Sequence, residues 1–395
     1  MAGSMAKKVL VLGHTAQISG AEVVTMELLR ERPQRFDYLW ACPEGPLAEE
    51  VTKLGARHVP VTGTAGSLRL HPLHTPVALA ELLRTGIETR RIAARENVDI
   101  VHAVSMRAAI CAAISRRLGG PPYVVWQHDV LPPGRVTRAI RALVDRTCSL
   151  VIAVSPHVEA NLRELGFRSH TRVVFPPVRM EQFDPDRVSR NGLRRDLAPE
   201  GGPLFGIVGQ ITPWKGHDTA IRALSVLRRT KPDARLVIAG GITFDEPATR
   251  FDNAQFLAEL HELVDGLGLS DAVTFAGPRK DVPELLASLD ALLLPSWDEP
   301  FGTIVWEAMA MRVPVVVSSV GGPGDEVTDG EDGLVAPPHD PNTWAAAMEQ
   351  ILDDPEAARR MGECARATAE RYSHPERSLE GLADAHLAVL GASSS

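Results

Sequence analysis

Strand and helix patterns alternate along nearly the whole chain, and they do so in two successive series. Short runs rich in Val, Ile and Leu, of strand length, are separated by longer stretches with helical spacing. Strands buried on both faces give such runs, as in parallel sheets covered by helices. The first series predicts strands at Lys8–Gly13, Phe36–Cys42, Arg57–Val61, Ile100–Val104, Tyr123–Gln127, Leu150–Val154 and Arg172–Phe175. The second predicts strands at Leu204–Gly209, Arg235–Ala239, Val273–Ala276, Ala291–Leu294, Val313–Ser318 and Gly333–Val335. The sequence therefore predicts an α/β protein with two doubly wound, Rossmann-like domains.

The proline-rich segment Phe175-Pro176-Pro177-Val178 marks the predicted domain boundary. We expect residues 1–178 to form the first domain and residues 179–372 the second. The last helix, in residues 373–395, follows the completed second sheet and is expected to cross back to the first domain. Open parallel sheets bind ligands outside the carboxyl ends of their strands. Two such domains facing each other predict a cleft in which a donor and an acceptor meet.

Charge and cysteine usage exclude several classes of function. A net charge of −8 disfavours nucleic acid as the main partner. No apolar run approaches the roughly 20 residues of a membrane span, and no apolar leader segment precedes the first strand. The four cysteines, Cys42, Cys111, Cys148 and Cys364, show neither paired metal spacing nor a disulfide-dense pattern. They are predicted to be mostly buried thiols in a reducing cytoplasm.

Arginines cluster on two predicted helices of the first domain. They are Arg84, Arg90, Arg91 and Arg95 on one, and Arg135, Arg138 and Arg141 on the other. A basic amphipathic face is one way to contact lipid. Because arginine is abundant throughout this chain, solvation of these faces is favoured over membrane contact.

Two carboxylates stand out in segment 295–310, Pro-Ser-Trp-Asp-Glu-Pro-Phe-Gly-Thr-Ile-Val-Trp-Glu-Ala-Met-Ala. Glu299 is predicted in the loop after a buried strand, and Glu307 one to two turns into the following helix. Both can then face one ligand. Glu residues near a helix start are also favoured simply by the helix dipole, which is the alternative interpretation.

The predicted helix start between these carboxylates adds backbone donors. The amides of Phe301, Gly302 and Thr303 are expected to point toward the same ligand, because the first N–H groups of a helix lack partners within it. Carboxylates beside such amides suit a molecule with hydroxyls at one end and phosphates at the other.

A lysine near another predicted helix start gives a second phosphate signal. Segment 209–217 follows the first strand of the second series and includes Gln210 and Lys215. A cation there is disfavoured by the helix dipole unless an anion is bound beside it. Phosphate contact by Lys215 is therefore predicted, with a solvated surface lysine as the alternative.

Signals in the first domain are less specific. His128 follows the predicted strand Tyr123–Gln127, and ligand contact and core packing remain equally open for it. The loop of residues 13–22, with Gly20, lacks the Gly-x-Gly-x-x-Gly pattern of dinucleotide-binding turns, which disfavours a dehydrogenase. It either places amides at the cleft or only connects strand to helix. Segment Gly63–Thr75 is expected to shape the acceptor side.

No metal or other cofactor is expected. Asp184-Pro185-Asp186 matches an Asp-x-Asp pattern, but it lies in the linker with a proline between its carboxylates, so chance explains it better. No other cluster has metal-ligand spacing.

Together these motifs resemble the retaining glycosyltransferases of family 4, which have the GT-B fold. The resemblance covers nearly the whole chain and is strongest from about Pro203 to Met348. The family element Glu-x7-Glu-Ala-Met-Ala is matched by Glu299, Glu307 and residues 308–310. The Gly-Gly-x-x-Glu element is matched loosely by Gly321, Gly322 and Glu326, with one extra residue.

The phosphate element of the family, Gly-Arg-x4-Lys-Gly, is present in altered form. Gly209, Lys215 and Gly216 match it, but Gln210 stands where an arginine is common. This removes one cation from the diphosphate site. The linker also departs, with Pro176-Pro177-Val178 in place of Asn-Gly-Val.

The resemblance implies transfer of a sugar from a nucleoside diphosphate sugar to an acceptor hydroxyl, without a metal, by a front-face mechanism that retains the anomeric configuration. It implies that Glu307 binds the ribose hydroxyls and Glu299 the hydroxyls of the donor sugar. Lys215, helped by Gln210 and the amides near Gly302, would stabilise the departing diphosphate.

Two first-domain residues complete the implied site. His128 falls where the family has an active-site histidine, and Gly20 falls in its N-terminal glycine loop. The expected partners are a nucleotide-sugar donor, with UDP favoured over GDP, and a small-molecule or glycan acceptor. Two alternatives remain: a GT-B sugar-nucleotide epimerase, and a non-catalytic sugar-nucleotide-binding protein.

Overall fold

The computed structural model describes residues 6–31, 36–64, 74–242 and 251–392. Its chain forms two compact units. The first comprises Met1–Pro177 together with Glu376–Ser395, and the second comprises Val178–Pro375.

Unit 1 is built on a parallel sheet that has seven strands in the described residues, in the order β3-β2-β1-β4-β5-β6-β7. The strands are β1 (Lys7–Leu12), β2 (Phe36–Cys42), β3 (Arg57–Pro60), β4 (Ile100–Ala103), β5 (Tyr123–Gln127), β6 (Leu150–Ala153) and β7 (Thr171–Val173). The helices between them are α1 (Gly20–Glu31), α2 (Pro46–Lys53), α3 (His74–Glu96), α4 (Met106–Arg117), α5 (Arg135–Thr147) and α6 (Pro156–Glu164).

The central strands of this sheet are buried on both faces, as their apolar runs predict. Residues 9–12 of β1 and all of β4 and β5 are buried. The side chains of Trp40 and Trp126 are fully buried. This core fixes the strand ends, from which the loops of the candidate site emerge.

Unit 2 contains a second parallel sheet, with six strands in the described part of the chain and the order β10-β9-β8-β11-β12-β13. The strands are β8 (Leu204–Val208), β9 (Arg235–Ala239), β10 (Val273–Gly277), β11 (Ala291–Leu294), β12 (Val315–Ser318) and β13 (Leu334–Ala336). The helices are α7 (Asn191–Leu197), α8 (His217–Leu227), α9 (Asn253–Gly266), α10 (Val282–Ser288), α11 (Thr303–Ala310), α12 (Gly322–Glu326), α13 (Pro341–Asp353) and α14 (Pro355–Ser373). Phe205, Trp306 and Trp344 are fully buried in its core.

The last helix, α15 (Pro375–Ala392), belongs almost entirely to unit 1. Its His386 lies 5.3 Å from the ring of Phe36 on β2. A ring nitrogen of His386 is 2.9 Å from one of His102 on β4, and both side chains are buried. Burial lowers the pKa of both rings, to about 4 for His386, so they pair as neutral imidazoles. The predicted return of the C-terminal helix to the first domain is confirmed.

The two doubly wound sheets are also confirmed, and each predicted strand has a counterpart. Helix ends differ by a few residues, which is usual because end turns fray. The prediction of buried thiols holds for Cys42 and Cys111. Cys148 is half-buried, and the prediction is wrong for Cys364, which is exposed on α14. Spacing alone did not reveal which side of that helix is covered.

None of the described helices is long and apolar enough to cross a bilayer.

Candidate functional site

Unit 2 places the predicted donor residues at the point where its strand order reverses. Strands β8 and β11 are neighbours, although the chain builds β9 and β10 on one side and β12 and β13 on the other. Crevices form at such switch points, outside the carboxyl ends of the strands. Lys215 follows β8 and Glu299 follows β11, so both emerge at the switch point.

Lys215 and Glu299 form an ion pair there. Lys215 Nζ donates to Glu299 Oε2 at 2.6 Å. The hydroxyl of buried Ser296 donates to the same oxygen at 3.0 Å. Glu299 is only 6% exposed, and the Lys215 ammonium lies 4.3 Å from the ring centroid of Trp214. The site therefore holds a cation and a carboxylate side by side in a largely desolvated position.

A tight turn after β8 presents the lysine. Residues Pro213–Lys215 form a single 3₁₀ turn, and Gly216 follows with a left-handed φ of 70°. A Cβ at Gly216 would lie 2.1 Å from the main-chain oxygen of Pro295. Only glycine lets the two loops approach so closely. The amide of Trp297 also donates to the Trp214 oxygen at 2.8 Å, which ties the turn to the end of β11.

The backbone around Glu299 is tied to a third loop. Glu299 pairs with Gly321 in an isolated parallel bridge, and its carbonyl accepts from the Gly322 amide at 2.7 Å. Gly322 begins α12 after β12. Residues 322–326 thus form a short helix, and its start at Gly321 and Gly322 holds the Glu299 backbone in place.

Helix α11 brings its amino end to the same carboxylate. Gly302, with φ of 67°, precedes the first helical residue, Thr303. A Cβ on Gly302 would lie 3.1 Å from Glu299 Cγ, so the helix start is adjacent to the ion pair. Trp306 Nε1 donates to the Phe301 oxygen at 3.1 Å and its ring stacks on that of Phe301, which fixes the entry into the helix.

Two further predicted donor residues border this region. Gln210 is half-buried just after β8, and Glu307 is half-buried at the fifth position of α11. The structure thus brings Lys215, Glu299 and the α11 start together.

The sequence reasoning did not identify Ser296 as a site residue, although its position three residues before Glu299 is a signal that could have done so.

Unit 1 has a switch point of its own, between neighbouring strands β1 and β4. His14 Nδ1 is 2.9 Å from the Ser105 hydroxyl, and Arg107 Nη1 donates to His14 Nε2 at 3.0 Å. Burial, and secondarily the Arg107 cation, lowers the pKa of His14 to about 3, so the ring is neutral. These residues are about ninety positions apart in the chain, and no local pattern predicted that they meet.

Gly20 is the first residue of α1, and the carboxylate half of a capping box supports the loop before it. The amide and hydroxyl of Ser19 both donate to Glu22 Oε2. Burial raises the pKa of the Glu22 carboxyl, and the charge of Asp129 adds to the shift. The Ser-x-x-Glu spacing of residues 19–22 is a sequence signal for this box that was overlooked.

His128 lies after β5, with its ring 4.7 Å from that of Trp126. Its Nε2 atom is buried without a hydrogen-bond partner. Burial lowers the pKa of His128 to about 3, so it is a neutral imidazole at physiological pH. Several other buried polar atoms of the described residues are unpartnered as well, among them Trp126 Nε1, so a role for His128 in ligand contact stays a prediction.

The linker carboxylates have protein partners: Asp186 accepts from Arg312 at 3.1 Å, and Asp184 pairs with Arg187 at 3.4 Å. Across the described ranges, no group of three or more His, Cys, Asp or Glu residues is placed to hold a metal ion. Most of the predicted acceptor segment Gly63–Thr75 lies outside the described residues, including His71.

Comparison with known proteins adds family and fold. A family model described as Glycosyl transferases group 1 matches residues 190–368, and one described as Glycosyltransferase Family 4 matches residues 18–182. A D-inositol 3-phosphate glycosyltransferase from Salinispora arenicola is 32% identical over 94% of this chain and 88% of its own length. One from Stackebrandtia nassauensis is 34% identical over 70% of this chain, and the match spans 65% of that relative.

Solved structures show the same architecture. Anabaena HepE in complex with UDP-glucose has a TM-score of 0.81 at 22% identity, covering 96% of this chain and 98% of that one. Sucrose-phosphate synthase from Thermosynechococcus elongatus has a TM-score of 0.77 at 20% identity, covering 98% of this chain and 100% of that one. At these identities the likeness establishes the fold.

Proposed function

Because the chain belongs to glycosyltransferase family 4 and has the GT-B fold, we propose that it transfers a sugar from a nucleoside diphosphate sugar to an acceptor hydroxyl with retention of configuration. The observation that carries this proposal is the Lys215–Glu299 ion pair, at the switch point of unit 2 and beside the amino end of α11. Such a place offers a cation and helix-start amides for phosphate, and a carboxylate for hydroxyls.

The diphosphate is the group on which negative charge develops as the sugar leaves. Lys215 and the amides of Phe301, Gly302 and Thr303 are assigned to it, with Gln210 adding a neutral amide donor. Donors that are already oriented stabilise developing charge without reorganising, and removing one typically costs about 3 kcal/mol of transition-state stabilisation. Protein groups in this arrangement make a metal ion unnecessary.

Carboxylates are assigned to the hydroxyls of the donor. Glu299 accepts from the hydroxyls of the sugar and Glu307 from those of the ribose. Glu299 is neutralised by Lys215, whose Nζ lies 2.6 Å from its Oε2. We propose that the donor inserts beside this pair and takes over part of its hydrogen bonding. Lys215 then donates to the diphosphate, while Glu299 accepts from the hydroxyls of the sugar.

Transfer is assigned a front-face mechanism, in which the acceptor hydroxyl attacks the sugar from the side on which the diphosphate leaves. No carboxylate is assigned as a covalent nucleophile, so the departing phosphate oxygen takes the proton of the acceptor hydroxyl as the new glycosidic bond forms. His128 is assigned to contact the donor sugar through its unpartnered Nε2, and the loop at Gly20 to line the ligand site.

Substrate identity is proposed from the relatives. HepE binds UDP and UDP-glucose, which supports UDP as the nucleotide over GDP. The inositol phosphate glycosyltransferases support a small hydroxylated acceptor. A cytoplasmic location is part of the proposal, because all four cysteines are free thiols and a reducing compartment keeps them so.

The test begins with a thermal-shift screen of UDP-, GDP-, ADP- and dTDP-sugars. A ligand at 100 times its dissociation constant adds about 2.7 kcal/mol of stability, which is easily seen. The stabilising donor is then incubated with hydroxylated acceptors, D-inositol 3-phosphate among them, and the anomeric configuration of the product is determined by NMR.

Retention and undiminished activity in EDTA are expected. An inverted product would exclude the proposed stereochemistry. Loss of transfer in EDTA with recovery on adding Mg²⁺ or Mn²⁺ would exclude the metal-independent mechanism. If the donor is converted into a different sugar nucleotide in the absence of an acceptor, the protein is an epimerase and not a transferase.

A further inference from the structure

Helix α3 of unit 1 exposes an unusual amount of apolar surface. Seven large apolar side chains are exposed among the described residues, and three of them lie on this helix: Val77 at 58%, Leu79 at 61% and Leu83 at 52%. Single exposed leucines need no explanation, but neighbouring ones mark interaction surfaces. Sequence periodicity alone would have assigned these residues to a core.

The exposed residues form one stripe along α3. Leu79, Leu83 and half-buried Ile87 are spaced four apart, which places them on one face of a helix. Arg84 and Arg91 border the stripe on one side, and both are exposed. From residue 79 to residue 91 the stripe is about 18 Å long. Its middle is a shallow depression of about 340 Å³, lined by Ala80, Leu83, Ile87, these two arginines and Glu88.

Helix α4 extends this surface. Gly86 of α3 packs against Ile114 of α4 so closely that a Cβ there would lie 2.6 Å from the Ile114 Cβ. Arg90 Nε donates to the Leu118 carbonyl at the end of α4, at 3.1 Å. Leu118 is 52% exposed, and Arg117 beside it is exposed as well. We call Leu79, Leu83, Leu118, Arg84, Arg91 and Arg117 the basic apolar face.

Charge on these helices is opposite in sign to that of the chain. Helices α3, α4 and α5 carry eleven arginines and four acidic residues, whereas the chain has a net charge of −8. Two of the acidic residues bind toward the protein: Glu88 accepts from the Thr62 amide at 2.7 Å and Glu81 from the Thr64 hydroxyl at 3.0 Å. Arg84 has 72% of its side chain exposed, and its Nε donates to Glu88 Oε1 at 3.0 Å. Because the eleven arginines outnumber the four acidic residues, these three helices carry a net positive charge.

We propose that the basic apolar face docks this protein on the surface of an anionic lipid bilayer. Helices with an apolar stripe bordered by arginines lie in the membrane interface, with leucines at the boundary between headgroups and acyl chains and guanidinium groups at the lipid phosphates. The chain is then bound at the surface by α3 and not by a spanning segment. A second copy of the chain fits this face poorly, because pairing two such faces would bring arginines together.

Co-sedimentation with vesicles tests the docking. The full chain is mixed with vesicles of phosphatidylcholine alone and with vesicles containing about 30% phosphatidylglycerol, at low and at high salt. Binding to the anionic vesicles at low salt is expected, with at least about tenfold weaker binding to neutral vesicles and a steep loss as salt is raised. Equal binding to both vesicle types, or none to either, overturns the proposal.

Matched variants assign the binding to the face. Leu79→Gln combined with Leu83→Gln should weaken binding to anionic vesicles about tenfold, because the apolar contact is lost while charge is unchanged. Leu387→Gln is the control, since Leu387 is an exposed leucine of α15, at 39%. Arg91→Gln combined with Arg117→Gln should weaken binding as much at low salt. Its control is the pair Arg222→Gln and Arg229→Gln in unit 2, both exposed.

Unchanged thermal unfolding shows that each variant is folded, which is expected for exposed positions. Binding by the Leu79→Gln, Leu83→Gln variant at the wild-type level contradicts the proposal. So does light scattering that shows a dimer disrupted by these changes, without vesicle binding by the wild type, because the face would then join two copies. These readouts are independent of sugar transfer, so the proposed function and the docking surface fail or stand separately.

Discussion

The Lys215–Glu299 ion pair gives the sharpest prediction about stability and ligand binding. Replacing Lys215 by Ala leaves the Glu299 carboxylate 6% exposed and without its cation. Removing one member of a buried pair costs about 3–5 kcal/mol, because the remaining charge is desolvated and uncompensated. The Ser296 hydroxyl still donates to the same oxygen, at 3.0 Å. We therefore expect Lys215→Ala to lower the free energy of unfolding by about 3 kcal/mol, the low end of that range.

Glu299→Gln should cost less. The lysine it leaves behind has 16% of its side chain exposed and lies over the Trp214 ring, so its charge keeps some water and an aromatic partner. A loss of about 1–2 kcal/mol is expected. In the double variant neither charge remains, so its loss should be smaller than the sum of the single losses by at least about 1.5 kcal/mol.

Urea unfolding followed by tryptophan fluorescence measures this cycle, since Trp214 lies directly at the pair. Lys231→Ala is the matched control. Lys231 also donates to a carboxylate at 2.6 Å, that of Asp353, but both side chains are far more exposed. Exposed pairs contribute little, so this variant should remain close to the wild type. If the two single losses sum to within about 0.5 kcal/mol of the loss in the double variant, Lys215 and Glu299 are not a buried, coupled pair.

Nucleotide binding separates the two roles. Calorimetry with free UDP should show at least about tenfold weaker binding for Lys215→Ala, because a charge-assisted contact to the diphosphate is lost. Glu299→Gln should bind UDP as tightly as the wild type or more tightly, since it releases Lys215, while turnover of the intact donor falls. Weakened UDP binding by both variants would contradict the separate assignment of phosphate and sugar.

Three further predictions follow from single positions. Burial lowers the pKa of His386 from 6.5 to about 4 in the folded protein, so the unfolded chain binds a proton first as the pH falls, and the folded state loses stability. Between about pH 7.5 and about pH 5, the free energy of unfolding of His386→Gln should therefore fall by about 2 kcal/mol less than that of the wild type. An equal loss in both proteins would contradict this. Gly216→Ala should lower the free energy of unfolding in urea by more than about 2 kcal/mol. The control Gly268→Ala, which has a similar φ but open space around the added Cβ, should lower it by about 1 kcal/mol. Equal losses would contradict the close approach of Gly216 to the Pro295 oxygen. Gln210→Arg adds a cation beside the proposed diphosphate site, so calorimetry should show about tenfold tighter binding of free UDP, whether or not kcat rises. Unchanged affinity would mean that the diphosphate binds elsewhere.

Secondary structure and fold class could be predicted from the sequence because their determinants are local. Strand runs such as Val9–Leu12 and Ala291–Leu294 are apolar on both faces, and only a covered parallel sheet buries both. The motif around Glu299 was equally local, since a strand, a breaker and a helix start within a dozen residues predict a loop carboxylate next to the amides of a helix start.

Contacts between distant residues needed the tertiary structure. Lys215 and Glu299 are 84 positions apart and meet only because β8 and β11 are neighbours at the switch point. His102 and His386 are 284 positions apart and pair because α15 returns to unit 1. No periodicity specifies such pairs, because strand order is decided by the packing of whole elements.

Exposure on individual faces was likewise decided by tertiary packing. The leucines of α3 and the thiol of Cys364 lie in stretches that look suited to a core, yet Leu79, Leu83 and Cys364 are exposed. Helical spacing tells which side chains share a face, but a face is buried only if another element packs on it. The sequence alone determined the two doubly wound domains and the loops that carry the candidate site. Tertiary structure decided which charges pair and which apolar face stays uncovered, because both depend on neighbours that are remote in the chain.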